Sequence, residues 1–147
     1  MKDLLEKVKA RTIKLTADLR YKREGSGEVP IDFHLNVLPE RTMEEIAPFC
    51  WIFPGPGSTG KQRERNVVVL FCFKEEDRAG ALTKLDQLVS SLHLMAHPGG
   101  WQPWVQKSFH DSFGEGEAGT QPHPLYFYKI VMGFMNNETL QYTPWRD

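Results

Sequence analysis

Residues 49–73 read FCWIFPGPGSTGKQRERNVVVLFCF. From Gly55 the spacing is glycine, four residues, glycine and lysine, which is how a phosphate-cradling P-loop begins. A working P-loop wraps backbone N–H groups around phosphates and points a helix N-terminus at them. It also follows its lysine with Ser or Thr to hold magnesium. Gln62 stands there instead, a poor ligand for a hard cation. Only Gln62 to Arg65 separate Lys61 from the β-branched run NVVVLFCF, too little chain to build a helix dipole. Pro56 removes one of the N–H donors a cradle would use. Strand, glycine-rich loop, strand spells a β-hairpin with a long tip. PGPGSTGK is a turn, and no nucleotide binding is expected to depend on Lys61.

Working outward from this hairpin, RTMEEIAP just before it has the form of one helical turn closed by Pro48. Further upstream Ile31, Phe33, Leu35 and Val37 alternate with Asp32, His34 and Asn36, as in a half-buried strand. GSGEVP (25–30) breaks the chain, and DLLEKVKAR before it spaces Leu4, Leu5 and Val8 as a short amphipathic helix does. Downstream, the stretch from Arg78 to Met95 puts Leu82, Leu85, Leu88, Val89 and Leu92 on one helical face, with Asp77 placed to cap its start and HPGG to end it. WQPWVQ (101–106) is a short extended segment that Pro103 directs to a sheet edge. FGEGEAGTQPHP reads as a loop. LYFYKIVMGFM (125–135) is a strand bulky on both faces and is expected in the sheet interior. The polar tail 136–147 carries Tyr142 and Trp145 as docking residues. The expected fold is α+β: one domain over residues 1–147, a mostly antiparallel sheet with an N-terminal helix and a central amphipathic helix packed on one face.

Hydrophobic residues at 40% and charged residues at 25% fit a globular chain. No apolar run nears the roughly 18 residues that span a bilayer, and MKDLLEKVKAR lacks the apolar stretch of a signal peptide. A soluble protein outside the usual export route is expected. The net charge of −1 exerts no global pull on nucleic acid. Its distribution is lopsided: eight of the 18 Lys and Arg residues fall in the first 23 positions, whereas Ser108 to the end holds two basic and five acidic residues. Lys61, Arg63 and Arg65 make the hairpin tip basic as well. With no stacking aromatic beside them, these three suit a protein contact or solvent better than nucleic acid, and they form the candidate interface.

Chemistry is thinly represented. His93 and His97 are four apart, a spacing able to present two imidazoles to zinc, but Leu94 stands where a zinc protease needs Glu, and His97 precedes Pro98 as the helix ends. HDSFGEGE (110–117) gathers a histidine and three acids, with His123 following, yet on a glycine-rich loop rather than a rigid support. No nucleophile elbow appears. No catalytic residue, metal site or cofactor is expected. Cys50 and Cys72 are too few for a disulfide framework; each sits in an apolar run as a buried thiol, and a hairpin could bring the two face to face without requiring a bond.

The order of elements from about residue 48 to 135 carries a resemblance. NVVVLFCF leads through a charged turn with Gly80 into a helix bearing Leu85, Leu88, Val89 and Leu92. WQPWVQ follows, and Gln121, Pro122 and Pro124 then enter the aromatic strand of Tyr126 and Phe127. This succession resembles the tail-terminator, or tail-completion, proteins of long-tailed bacteriophages, while GEVPIDFHLNVLP departs from it. The resemblance implies a small structural protein that forms a ring, of six copies, on the finished tail tube. Its partners would be itself, the tube and head-completion proteins, with neither membrane nor specific nucleic acid. It would lie in the host cytoplasm during assembly and then in the virion tail. No catalytic residues carry over. A non-catalytic bacterial adaptor domain that binds protein without forming a ring, and a small hydrolase using the His/Asp/Glu loop, are the alternatives.

Overall fold

Two helices lie on one face of a five-stranded sheet in the computed structural model, which describes residues 2–56, 64–96, 100–114 and 121–136. In chain order the elements are α1 (Lys2–Leu15), β1 (Tyr21–Arg23), β2 (Gly27–Val29), β3 (Asp32–Leu35), α2 (Met43–Ile46), β4 (Phe49–Pro54), β5 (Glu64–Lys74), α3 (Arg78–Leu92), a 3-10 turn (His93–Ala96), β6 (Trp104–Phe113) and β7 (Leu125–Asn136). The large sheet has the order β3-β4-β5-β7-β6. Its neighbours are antiparallel except β3 and β4, which run parallel. The architecture is α+β, as the period-2 and helical-period segments require.

The 49–73 segment is a hairpin. β4 and β5 pair in register from Phe49 opposite Cys72 to Pro54 opposite Val67. The ladder continues past β4, where the Gly55 N–H donates to the Asn66 carbonyl at 2.8 Å. β5 resumes at Glu64, so no helix follows Lys61. The same register corrects the cysteine expectation. Cys50 opposes Phe71 and Cys72 opposes Phe49, so the thiols lie one residue out of step and face opposite sides of the sheet. A one-residue offset reverses the face of a strand side chain, which forbids a bond between them.

α1 continues past Arg11 to Leu15 because its inward threonines satisfy themselves. Thr12 and Thr16 donate their hydroxyls to the carbonyls of Val8 and Thr12, four residues back. Leu4, Leu5 and Val8 enter the core beside Ala81, Leu85, Leu88 and Leu92 of α3. Both helices rest on Cys50, Ile52, Val67, Val69, Phe71, Tyr128, Ile130 and Met132. Leu82 does not join them: it is 52% exposed, and Ala81 takes the inward position. Asp77 occupies the N-cap position of α3 without a side-chain capping bond; its N–H instead donates to Glu75. α2 carries a full capping box, in which the Thr42 hydroxyl accepts from the Glu45 N–H and the Glu45 carboxylate accepts from the Thr42 N–H.

Two short strands, β1 and β2, pair around Gly25 and Gly27, both with positive φ, where the sequence suggested only a break. β6 runs to Phe113, so HDSF belongs to a strand and not to the loop expected from 110 onward. β7 is interior, between β5 and β6. Gln121 fastens its entry, accepting from the Phe127 N–H at 2.8 Å and donating to the Phe127 carbonyl at 3.0 Å. Val37 lies beyond the end of β3 and is 76% exposed, against the alternation that placed it inside. No helix among the described residues is long and apolar enough to cross a membrane.

Candidate assembly surface

Of the expected tip residues, Arg65 is described, while Lys61 and Arg63 lie outside the described residues. Arg65 sits on β5 opposite Phe134, half-buried, its guanidinium donating to the Glu64 carbonyl at 2.7 Å. Strand alternation turns it to the helix side of the sheet, as it does Val67 and Val69.

Among the described residues, the opposite side is covered at one end only. Ile46 and Ala47 close over Phe49, Cys72 and Phe127, with Met43 and Leu38 at the margin. Towards the other end Trp51, Phe53, Leu70, Val131 and Met135 are only half-buried, and neither α1 nor α3 packs there. The Trp51 and Phe53 rings lie 4.1 Å apart on this face, and the Trp51 indole N–H donates to the Asn36 carbonyl. These half-buried apolar side chains form the candidate assembly surface. One cation, Lys129, projects exposed from its middle. The sequence did show these side chains as bulky. It placed both large helices on one face without showing that these side chains would lie on the other.

The remaining polar clusters hold the fold together. Glu75, 3% exposed, accepts from Lys22 at 3.1 Å and from the Asp77 N–H, and lies 3.1 Å from the Lys84 ammonium. Burial alone would raise its pKa; the Asp77 amide, Lys22 and Lys84 outweigh that and bring it down to about 2. The trio ties the β1–β2 hairpin to the β5–α3 junction. A depression of about 640 Å³ beside it is lined by Lys22, Arg23, Glu28, Lys74 and Glu75, whose charges pair among themselves and with Asp32, Glu44, Glu76 and Lys84. It therefore presents little uncompensated charge to a ligand.

The His/Asp/Glu loop does not assemble as a hydrolytic set among the described residues. His110 and Asp111 are consecutive on β6 and point to opposite faces. Asp111 accepts from the Tyr128 hydroxyl at 2.8 Å, and His123 meets the Tyr126 hydroxyl. Burial, then the Asp111 bond, raises the Tyr128 pKa. Glu115 and Glu117 lie outside the described residues. His93 is exposed at the end of α3 with Nδ1 3.3 Å from the Ser90 carbonyl, and His97 lies outside the described residues. Among the described residues no three His, Cys, Asp or Glu gather as a metal site. No protein-family model matches this chain, and no curated protein matches it either.

Proposed function

We propose that this chain is a structural protein of a bacteriophage or prophage tail, assembling as a ring of six copies that caps the tail tube and joins it to the head. The observation that carries it is the one-sided sheet: α1 and α3 share one face, and half-buried Trp51, Phe53, Leu70, Val131 and Met135 occupy the other. A lone globular chain gains by covering such a face, and a subunit of an assembly gains by keeping it. The succession β5, α3, β6 and β7, with Gln121 clamping the start of β7, supports the same reading because it follows the order on which the resemblance rests. The partners are further copies, the tail tube and head-completion proteins. The place of action is the host cytoplasm and then the virion tail.

The test is mass measurement of the pure chain over rising concentration, with electron microscopy of mixtures with preformed tail tubes. Closed rings, free or seated on tube ends, are the expected result. A chain that stays monomeric throughout and leaves the tubes bare overturns the proposal in favour of an adaptor that binds protein without forming a ring.

A further inference from the structure

We infer that copies of this chain join sheet edge to sheet edge, β6 of one copy pairing antiparallel with β3 of the next; this rests on the ring proposed above. Among the described residues the two strands are the ends of the large sheet, each with a neighbour on one side only. Edge strands expose unpaired N–H and C=O groups that readily accept another strand.

Strand direction selects the pairing. β3 runs with β4, and each step from β4 to β5, β7 and β6 reverses direction. β6 therefore runs opposite to β3. A second copy set alongside in the same orientation presents its β3 antiparallel to the first copy's β6, and the sheet continues across the boundary. Such a contact joins unlike surfaces and repeats from copy to copy, as a ring requires.

The side chains select the register. β6 is interrupted by an irregularity between Gln106 and Ser108, and from Ser108 to Phe113 its ladder is regular. Antiparallel partners must point to the same face. Asp32 and His34 share the open face with Phe49 and Trp51, and Ser108 and His110 share it with Gly133 and Val131. Phe33 and Phe109 both turn to the helix side. Every second register meets this condition, and the one that also pairs ring with ring around Phe109 sets Asp32 opposite His110, Phe33 opposite Phe109 and His34 opposite Ser108. It sets a carboxylate against an imidazole and two half-buried rings against each other, both favourable cross-strand pairs. Leu35, the last residue of β3, then falls opposite Lys107, where the regular ladder of β6 stops. At the other end of this segment Phe113, 43% exposed, lies on the helix side, where the next copy's approach would cover it.

The experiment uses the full chain with His34→Cys, Ser108→Cys, or both. Cys50 and Cys72 are buried and do not compete for oxidation. Mild oxidation of the double variant should produce a ladder of covalent dimers, trimers and larger species, which reduction dissolves. Neither single variant should cross-link, because each lacks the opposing thiol. Dimers from Ser108→Cys alone would mean symmetric pairing of two β6 strands and would overturn the inference. Rings visible by electron microscopy without a ladder would also overturn it while leaving the ring itself standing. A double variant that gives neither rings nor a ladder, beside a wild type that gives no rings, rejects both.

Discussion

Glu75 shows how a single carboxylate can be made indispensable by what surrounds it. It directly follows β5, is nearly inaccessible, and takes Lys22, Lys84 and the Asp77 amide around its two oxygens. Its folded pKa of about 2 lies below the ordinary value of 4.5. The stabilisation this represents is full above about pH 4.5 and is lost as pH falls through about 2. With Lys22 largely in water, screening reduces it to on the order of 2 kcal/mol. Glu75→Gln should therefore lower stability at pH 7 by about that amount in chemical denaturation. The gap from wild type should shrink as pH is lowered from 4.5 towards 2. A gap independent of pH would mean that Glu75 acts through packing and not through its charge. The neighbouring tyrosine belongs to the same scale: Tyr21 packs on Phe73 with ring centroids 4.8 Å apart, and burial raises its pKa.

At the scale of elements, α3 and the β4–β5 hairpin each carry a prediction. The inward row of α3 is Ala81, Leu85, Leu88 and Leu92, packed against Val69, Phe71 and Ile130. Leu88→Ala removes a fully buried side chain and should cost about 2–5 kcal/mol. Leu82→Ala, on the outward side of the same helix, should stay within about 0.5 kcal/mol. Urea titrations of the two variants side by side check the face directly, and equal losses would show that the helix is rotated from this assignment. For the hairpin, β5 begins at Glu64 and leaves no helix to receive a phosphate. Calorimetry with magnesium ATP or GTP should show no binding that Lys61→Ala abolishes. Micromolar binding lost in that variant would mean that the turn is a nucleotide site after all.

For the whole molecule, the question is how charge and exposed apolar surface divide the labour of assembly. The basic residues crowd the first 23 positions and the tip around Lys61, Arg63 and Arg65, while the last third is acidic. If unlike ends meet in the ring, Lys61/Arg63→Glu, which spares the half-buried Arg65 of β5, should weaken assembly on tail tubes and leave the thermal midpoint of the monomer unchanged. Added salt should weaken the wild type in the same direction, since screening acts on exposed charges. Equal assembly by both proteins at every salt concentration would assign the tip to solvent and leave the apolar face and the sheet edges to hold the ring. Weaker assembly of the variant would instead mean that charge sets the approach of subunits, and surface burial their residence.

The sequence by itself determined the elements whose residues interact with near neighbours or repeat a clear period. NVVVLFCF and LYFYKIVMGFM have only one plausible conformation, the glycines and prolines between Phe53 and Asn66 force a turn, and α3 follows from its leucine spacing. It did not determine β6 beyond Gln106, because SFHDSF is an edge strand with polar residues on its wet side and looks like a loop when read alone. Nor could it separate Leu82 from Leu85, since both fall within a broad apolar arc until Ala81 is seen against the sheet. Only the tertiary structure decided that Cys50 and Cys72 face apart, that Glu75 is buried between two lysines, and that Trp51, Phe53 and Leu70 lie on the face the helices leave. Each of these depends on register or on contacts between residues far apart in the chain. Local propensity carries no information about such contacts, and a shift of one residue along a strand reverses every side chain on it.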